Sequence, residues 1–442
     1  MIMPYAYPKA YEFSELYHVS VNKIDGEQLD LPILKNPVSD FGSIEFDEEI
    51  TIEVNVRIIA DLKPHMVSIR PLSRGITCKV EGRKIIFTMK TPQNIKVAVE
   101  GLHDLYLYCF GVEDINDKPI KEDPDVFYFS AGQTYEVGKI ELKTNQTLYI
   151  EAGAVVRGVV HGVGDNIKIM GRGIIDGGFK EGKPFTDIHT IQLEHCNNSL
   201  IKDVTIINPM RWIVVIGGCN DIVIRNIKEL GLNMSTDGID VCGSKNVLIE
   251  DCFIKCNDDC VVIKSIKHSN GTLDWRFDVE NVTTRGCVFQ TVKNGAVMEI
   301  GHELITDLVN NIVFEDCDVL GVHGHGSVFS IQNTDKAIVS NVLYKNIRIE
   351  HCYDKLINLR IMNSMYSRNN EKGQVRDIKF KDIFWHTQCY NMGYTISLIG
   401  GLDENHTVEN VEFENFIIDG KKVTNLDDLN IHIRHASNIS IV

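Results

Sequence analysis

The chain has 442 residues, 43% of them hydrophobic and 24% charged, which argues against disorder and allows two domains or one elongated repeat domain with an appendage. The net charge of -16 argues against nucleic acid or an anionic membrane as a partner, and it weakens the case for a strongly polyanionic substrate. No apolar run is long enough to span a membrane.

The beginning of the chain and its cysteines give an expectation about location. The first residues, MIMPYAYPKAYEFSEL, show neither the basic stretch nor the apolar run of a secretory signal. The 12 cysteines do not form the close-spaced clusters of a disulfide or zinc framework, so we expect reduced, buried thiols. Both features predict a cytoplasmic protein, or a secreted one if a signal was trimmed.

Residues 1–113 are predicted to form a small antiparallel β-sandwich. Stretches such as SIEFDEEITIEVNVR and DLYLYCFGVE alternate apolar and polar residues and are broken by Gly, Pro and Asn. Residues 114–125, DINDKPIKEDPD, are charged, contain two prolines and lack periodicity, which predicts a linker. Residues 126–442 then form the second domain.

A seven-residue pattern recurs in this second domain: Asn or Asp, apolar, any, apolar, any, Asn, Asp or Gly, apolar. Copies spaced 23 to 36 residues apart begin at Asn166, Asn198, Asp221, Asn246, Asn281, Asn311, Asn341, Asp377 and Asn410. A second short strand lies between copies, for example GIDVCGS, CVVIKS and AVMEIGH. Short strands repeated at this spacing describe the coils of a solenoid, so the predicted fold is all-β, a parallel β-helix preceded by the sandwich.

Cysteines occupy one register of the repeat. Cys252, Cys287 and Cys317 fill its last apolar position, where Ile227 and Ile347 stand in other copies. Free cysteine behaves as a small hydrophobic residue, so we assign these thiols to the core.

Three carboxylates fall on one face of the predicted β-helix. Aligning the second strands on their apolar residues places Asp237 and Asp259 at equivalent positions on neighbouring coils, with Asp258 beside Asp259. Taken alone, such residues are ordinary turn formers. Clustered carboxylates cannot all stay ionised without cost, so at least one pKa should rise. A protonated acid beside ionised carboxylates is what the hydrolysis of glycosidic bonds uses.

The same alignment predicts a column of outward positions along the later coils. It pairs Leu359 and Ile361 with Ile396 and Leu398 as inward residues. The outward position between the inward residues is then filled by Asp240, Val262, Glu299, Ser330, Arg360 and Ser397.

Four short motifs carry a resemblance to a known family. They are GRGIIDG (171–177), NPMRW (208–212), STDGID (235–240) and NDDCVVIKS (257–265). In this order, over roughly residues 127–420, the chain resembles glycoside hydrolase family 28, the polygalacturonases, and the related dextranase-like β-helix enzymes.

The resemblance implies a right-handed parallel β-helix and an inverting mechanism. By position, Asp258 would be the general acid, and Asp237 with Asp259 would hold and activate the attacking water. Ser235 stands where the family has Asn, a mild departure.

Two departures concern substrate binding. Where the family has Gly-His-Gly, the equivalent position is Ala296, and the literal Gly-His-Gly lies one coil later around His325. Either His325 takes that role or His302 and Glu299 make a different contact. The family's Arg-Ile-Lys appears as Arg360-Ile361-Met362, and losing this lysine leaves room for a neutral sugar. The candidate substrate contacts are Trp212, Asp240, Lys264, Glu299, His302, His325 and Arg360.

Trp212 either stacks on a sugar or is a buried aromatic, and Lys264 either replaces the missing lysine or pairs with an aspartate. The expected protein is an inverting glycoside hydrolase whose partner is an oligosaccharide or polysaccharide, with an exo-acting enzyme as one form. A polysaccharide lyase or epimerase, with calcium in the acidic column, and a non-catalytic carbohydrate-binding protein stay open. We predict no organic cofactor and no metal for the hydrolase, and the oligomeric state is not predicted.

Overall fold

The computed structural model describes residues 1–23, 26–37, 39–59, 61–178, 188–267, 274–387 and 396–442. Within these ranges the chain forms 41 β-strands and no α-helix, with four 3-10 helices at Pro64–Met66, Leu72–Arg74, Ile115–Asp117 and Leu426–Leu429. None of the described helices is long and apolar enough to cross a membrane. The chain divides into two compact units, residues 1–136, 148–157 and 171–175, and residues 137–147, 158–170 and 176–442. The predicted linker over 114–125 stays a prediction.

The first unit contains a β-sandwich. Its ten strands are β1 (Ile2–Pro4), β2 (Tyr17–Asn22), β3 (Gln28–Leu31), β4 (Asp40–Phe46), β5 (Ile50–Val56), β6 (Val67–Arg70), β7 (Cys78–Glu81), β8 (Lys84–Met89), β9 (Ile95–Val99) and β10 (Leu105–Phe110). They form two five-stranded sheets in the orders β1-β4-β10-β9-β6 and β3-β2-β5-β8-β7. Side chains of both sheets share one hydrophobic core, with Ile44 and Leu107 from the first and Val21 and Ile52 from the second.

One pairing in the sandwich departs from the expected antiparallel arrangement. Strand β10 runs parallel to β4, with Leu105 opposite Asp40 and Phe110 opposite Glu45. Alternation of apolar residues shows which side chains face a core, but it does not show the direction of the neighbouring strand. The strands between β4 and β10 supply the long crossover that a parallel pair requires.

The later strands form the β-helix. They are β11 (Val126–Phe129), β12 (Thr134–Leu142), β13 (Thr147–Ile150), β14 (Val155–Val163), β15 (Lys168–Gly171), β16 (Ile174–Asp176), β17 (Ile191–Glu194), β18 (Asn197–Lys202), β19 (Thr205–Ile207), β20 (Val214–Gly217), β21 (Asn220–Arg225), β22 (Lys228–Leu230), β23 (Ile239–Cys242), β24 (Lys245–Glu250), β25 (Phe253–Cys256), β26 (Val261–Lys267), β27 (Asp274–Trp275), β28 (Val279–Arg285), β29 (Val288–Thr291), β30 (Met298–Leu304), β31 (Leu308–Glu315), β32 (Asp318–Val322), β33 (Ser327–Asn333), β34 (Ile338–Ile349), β35 (Lys355–Ile361), β36 (Gln374–Trp385), β37 (Ser397–Gly400), β38 (Val408–Ile418), β39 (Lys421–Lys422), β40 (Ile431–Arg434) and β41 (Ala436–Ile441).

Strands at equivalent places on successive coils pair in parallel. The ladder β17-β20-β23-β26-β30-β33-β35-β37 runs along one face, and β18-β21-β24-β28-β31-β34-β36-β38 runs along another. These ladders confirm the predicted parallel β-helix.

Both polar positions of the repeat bend the chain, either near the end of a strand or, as at Asn341 and Asn346 in β34, within a longer one. All nine copies begin with Asn or Asp at φ between 51° and 59°, and the sixth position is also left-handed in each copy. Asn, Asp and Gly tolerate this conformation better than other residues, which explains the pattern. The first-position amides form a ladder, since Asn281 Nδ2 donates to Asn246 Oδ1 (2.9 Å) and Asn311 Nδ2 donates to Asn281 Oδ1 (2.8 Å). Asn438 adds a further such turn that the sequence pattern missed, because the chain ends before the seven positions are complete.

The cysteines occupy the interior as expected. Eleven of the 12 cysteines lie in the described residues, where all are free thiols and ten are buried. Cys252, Cys287 and Cys317 are fully buried, which confirms their assignment to the core. Cys389 lies outside the described residues.

The predicted alignment of the last coils was wrong. Arg360 pairs with Gln332 rather than Ser330, because Ile357, Leu359 and Ile361 alternate and let the alignment slide by two residues. Arg360 also pairs with Gly400 rather than Ser397. In that coil Ile399 is buried and Ile396 is exposed, since YTISLIG carries apolar residues in both alternating sets.

We expect Asn281→Ala to lower the free energy of unfolding by about 2 kcal/mol, because alanine loses two ladder hydrogen bonds and disfavours left-handed backbone. Asn281→Gly loses only the hydrogen bonds, so its loss should be about half as large. Urea titration of the two variants measures both values. Equal losses would show that the backbone conformation is not what selects asparagine.

Candidate active site

The three predicted catalytic carboxylates stand just before two paired strands, β23 and β26. The Gly238 N–H donates to the carbonyl of Asp259 (2.8 Å), so Asp237 and Asp259 precede their strands by the same number of residues. Asp258 adjoins Asp259 at the same end of the strand. The predicted equivalence of Asp237 and Asp259 on neighbouring coils is confirmed.

A cleft of about 1000 Å³ opens over this end of the strands. Eight of the ten predicted site residues line it: Trp212, Asp237, Asp258, Asp259, Lys264, His302, His325 and Arg360. The remaining two, Asp240 and Glu299, do not line it. Among the described residues, no group of three or more His, Cys, Asp or Glu is arranged to hold a metal ion.

Lys264 forms a buried ion-pair cluster in this wall. Its Nζ lies 2.9 Å from Asp237 Oδ2 and 2.9 Å from Asp240 Oδ1. Burial alone would lower the pKa of Lys264, but these two carboxylates raise it well above its usual value. Lys264 therefore pairs with aspartates, one of the two roles expected for it, and places a fixed positive charge beside Asp237.

Asp258 and Asp259 have raised pKa values, as clustered carboxylates should. Burial, followed by the charges of Asp237 and Asp259, raises the pKa of Asp258 to about 9. Burial, followed by Asp237, raises the pKa of Asp259 to about 7, opposed by Lys264 and by the Ala296 N–H, which donates to Asp259 Oδ1 (2.6 Å). At neutral pH Asp258 therefore carries a proton beside other carboxylates, which is the state that a general acid needs.

Asp240 and Glu299 cannot contact substrate directly, which corrects that prediction. Both are fully buried. Asp240 Oδ1 accepts from Lys264, and Gln332 Nε2 lies 3.5 Å from each Glu299 oxygen. Alternation placed Asp240 on the outer side of the strand, but it could not show that an apolar cluster packs over part of this face: Trp212, Val215, Cys242, Ile266 and Trp275.

Trp212 is the buried aromatic of the two expected alternatives. Its ring stacks with His189 at a centroid distance of 5.1 Å, and Lys264 Nζ lies 4.0 Å from the ring centroid. The side chain borders the cleft but is only 7% exposed. It stabilises the Lys264 ammonium by a cation–π contact and does not offer a free face for sugar stacking.

The two candidate histidines lie in different surroundings. His325 is 86% exposed, with its Nδ1 3.7 Å from Asp354. His302 is half-buried, its Nε2 is 3.1 Å from Gln332 Nε2, and its ring packs against Tyr366 at 4.8 Å. Burial, followed by Lys264 and Arg360, lowers the pKa of His302 to about 4. Gln332 and Tyr366 fix the orientation of the His302 ring, which favours His302 over the exposed His325 as a substrate contact. This assignment stays a prediction.

The sequence missed several residues that line the cleft. Gln332, Glu303 and Arg368 border it, and Arg368 Nη2 reaches Glu303 Oε1 at 3.2 Å. Gln332 was within reach of sequence reasoning, because it lies two residues after Ser330 and so points to the same side of β33. Arg368 lies in the irregular segment between β35 and β36, where no strand periodicity predicts the direction of a side chain.

The cleft is rich in cations although the chain is acidic. Its lining contains seven lysines and arginines, Arg211, Lys264, Lys267, Lys293, Lys355, Arg360 and Arg368, and four acids, Asp237, Asp258, Asp259 and Glu303. The net charge of the whole chain therefore does not describe the surface that a ligand meets.

A comparison with known families places the chain. Residues 139–437 match the sequence profile of Glycosyl hydrolases family 28. This stretch covers more than half of the chain, so the chain belongs to glycosyl hydrolase family 28.

Individual relatives are distant. Polygalacturonase QRT2 of Arabidopsis thaliana is 24% identical over 195 residues, which are 39% of this chain and 40% of that protein. This chain thus spans less than two thirds of that relative. Among solved structures, Dex49A from Penicillium minioluteum aligns with a TM-score of 0.67 and 13% identity over 100% of this chain and 96% of that one. A hyperthermoactive exopolygalacturonase from Thermotoga maritima aligns with a TM-score of 0.55 and 20% identity over 72% and 84%. At these identities the structures show a shared fold.

We expect Lys264→Met to lower the free energy of unfolding by about 3 kcal/mol at neutral pH, because it leaves buried carboxylates without their cation. Lys245→Met is a matched control that breaks the partly exposed Lys245–Glu280 pair and should cost about 0.5 kcal/mol or less. Urea titration of both variants checks this prediction. Similar small losses would mean that the Lys264 cluster adds no net stability.

Proposed function

We propose that this chain is an inverting glycoside hydrolase that cleaves O-glycosidic bonds in an oligosaccharide or polysaccharide. Its membership in glycosyl hydrolase family 28 supports this proposal. The observation that carries it is the placement of Asp258, Asp237 and Asp259 on one cleft wall, where burial and the neighbouring carboxylates raise the pKa of Asp258. Paired carboxyl groups of this kind perform acid and base catalysis on glycosidic bonds.

In the proposed reaction Asp258 donates its proton to the glycosidic oxygen as the bond from that oxygen to the anomeric carbon breaks. Asp237 and Asp259 hold a water on the opposite side of the sugar, and one of them accepts its proton as the water attacks the anomeric carbon. The product carries the inverted configuration. Lys264 stabilises the negative charge on this wall through its contact with Asp237.

We propose a substrate that carries carboxylates rather than a neutral sugar. The cleft lining has seven basic residues against four acids, and this excess favours an anionic ligand, since net positive charge raises the local concentration of anions. The names of the relatives, polygalacturonase and exopolygalacturonase, agree with this choice. Met362 stands where the family has its second basic residue. Basic residues from other strands and loops of the cleft take the place of that lost positive charge.

The reaction products distinguish a hydrolase from a lyase and from a non-catalytic binding protein. A lyase would release an unsaturated sugar that absorbs in the ultraviolet and, if it used calcium, would lose activity with a chelator. A non-catalytic binding protein would bind trigalacturonate without releasing reducing ends. Proton NMR of the first sugar released distinguishes inversion from retention.

We expect Asp258→Asn to lower the release of reducing sugar by at least about a hundredfold, because the amide cannot protonate the leaving oxygen. Asp307→Asn removes an exposed carboxylate outside the cleft and is the control. Both variants should keep the circular dichroism of the parent protein. The assay uses galacturonate oligomers and neutral oligosaccharides in parallel, and near-parental activity of Asp258→Asn would refute its role as the acid.

We expect a bell-shaped dependence of kcat/KM on pH. Activity should rise as the pH passes about 7, where Asp259 loses its proton and becomes able to activate water. It should fall above about 9, where Asp258 loses the proton that it must donate. Because Asp258 and Asp259 titrate as a coupled pair, both limbs of the profile belong to the pair. An optimum at about pH 4 would contradict the prediction and show that both carboxyls titrate in their ordinary range.

A further inference from the structure

Gln332 connects two polar side chains of the cleft, His302 and Arg360, with the buried Glu299 behind them. It lies on β33 between two neighbouring coils, paired with Gly301 on one side and Arg360 on the other. Its Oε1 accepts from Arg360 Nη2 at 2.8 Å, and its Nε2 lies 3.1 Å from His302 Nε2. The same Nε2 lies 3.5 Å from each oxygen of Glu299.

The orientation of this amide follows from its partner. Arginine only donates hydrogen bonds, so the Gln332 atom that faces Arg360 must be the oxygen. The amide nitrogen then faces His302 and donates to its Nε2, which must be unprotonated to accept. His302 is therefore neutral and carries its proton on Nδ1. That Nδ1 has no hydrogen-bond partner among the described residues.

Arg360 keeps its charge uncompensated in this arrangement. Its partner is a neutral amide, its Nε has no hydrogen-bond partner in the described part of the chain, and no described carboxylate forms an ion pair with it. Glu299 is nearby, but burial, followed by the charge of Asp259, raises its pKa well above the usual value, which disfavours its charged form. The positive charge of Arg360 is therefore available to a ligand in the cleft.

We propose that Gln332 is a positioning residue: its amide holds the Arg360 guanidinium without neutralising it and fixes His302 as the Nδ1–H tautomer, so that both side chains are set to bind an anionic sugar. The role in sugar binding rests on the proposed hydrolase function, whereas the role in charge and tautomer does not. A glutamine suits this position because it offers one acceptor to the arginine and one donor to the histidine. A glutamate would neutralise Arg360 and would accept a hydrogen bond from a protonated His302 Nε2.

The first test reads the tautomer in the ligand-free protein. Nitrogen-15 NMR, with the His302 signals assigned from their loss in His302→Gln, should show a protonated Nδ1 and an unprotonated Nε2 at neutral pH. In Gln332→Glu both nitrogens should be protonated. In Gln332→Met, which cannot bond to either partner, the two neutral tautomers should both be populated. An unchanged His302 spectrum in both variants would overturn the proposal, whatever the enzyme's activity.

The second test measures kinetics on trigalacturonate. Gln332→Glu should raise KM about tenfold and change kcat much less, because it removes a charge contact made to substrate and transition state alike. Gln290→Glu is the matched control, since Gln290 Nε2 lies 3.3 Å from His323 Nε2 in a second glutamine–histidine pair that does not line the cleft. It makes the same charge change and should leave KM unchanged.

An equal rise of KM in Gln290→Glu and Gln332→Glu would show a general electrostatic effect and overturn the role in sugar binding. If the parent protein hydrolyses none of the sugars tested, the proposed function fails, while the NMR result still decides whether Gln332 sets the charge and the tautomer. The two failures are thereby distinguishable.

Discussion

Parallel hydrogen bonds between successive coils fix the height and direction of every side chain in the β-helix. Strands of neighbouring coils lie about 5 Å apart, so equivalent residues are stacked rather than scattered. Asp237 and Asp259 become neighbours through this constraint although 22 positions separate them in the chain. The same ladder, continued to β30, β33 and β35, stacks the strands that carry His302, Gln332 and Arg360. The chemistry of the cleft is therefore set by the choice of residue at a few stacked positions.

Stacking like charges in a partly buried wall is unfavourable, and two features of the structure reduce this cost. One is a countercharge, since Lys264 lies between Asp237 and Asp240 and is itself supported by Trp212. The other is protonation, since burial and mutual repulsion raise the pKa values of Asp258 and Asp259. The first stabilises the folded wall, while the second supplies a proton donor. The features that make the site costly to fold are thus the ones that suit it to acid catalysis.

The cleft has two chemically different parts. Around Asp258 the polar groups are carboxylates with one buried lysine, whereas around Gln332 they are a neutral histidine and an arginine whose charge no described carboxylate neutralises. Asp259 and Glu299 connect the parts electrostatically, because the charge of Asp259 adds to burial in raising the pKa of Glu299. This division fits a ligand with a bond to be cleaved at one place and a negative charge to be held at another. The net charge of the whole chain, -16, gives no sign of this division.

The sequence by itself determined the repeating fold, the buried cysteines and the stacking of Asp237 on Asp259. These depend on local rules: left-handed turns select Asn, Asp or Gly, and a period of two selects the residues that face the core. The tertiary structure decided what covers each outward position, so that Asp240 and Glu299 are buried behind the cleft wall rather than exposed as substrate contacts. It also decided the alignment at Arg360, where three alternating apolar residues allowed more than one register. The cations of the cleft come from separate strands and loops, and only folding brings them together, because a charge on a loop has no periodic neighbour in the sequence to locate it.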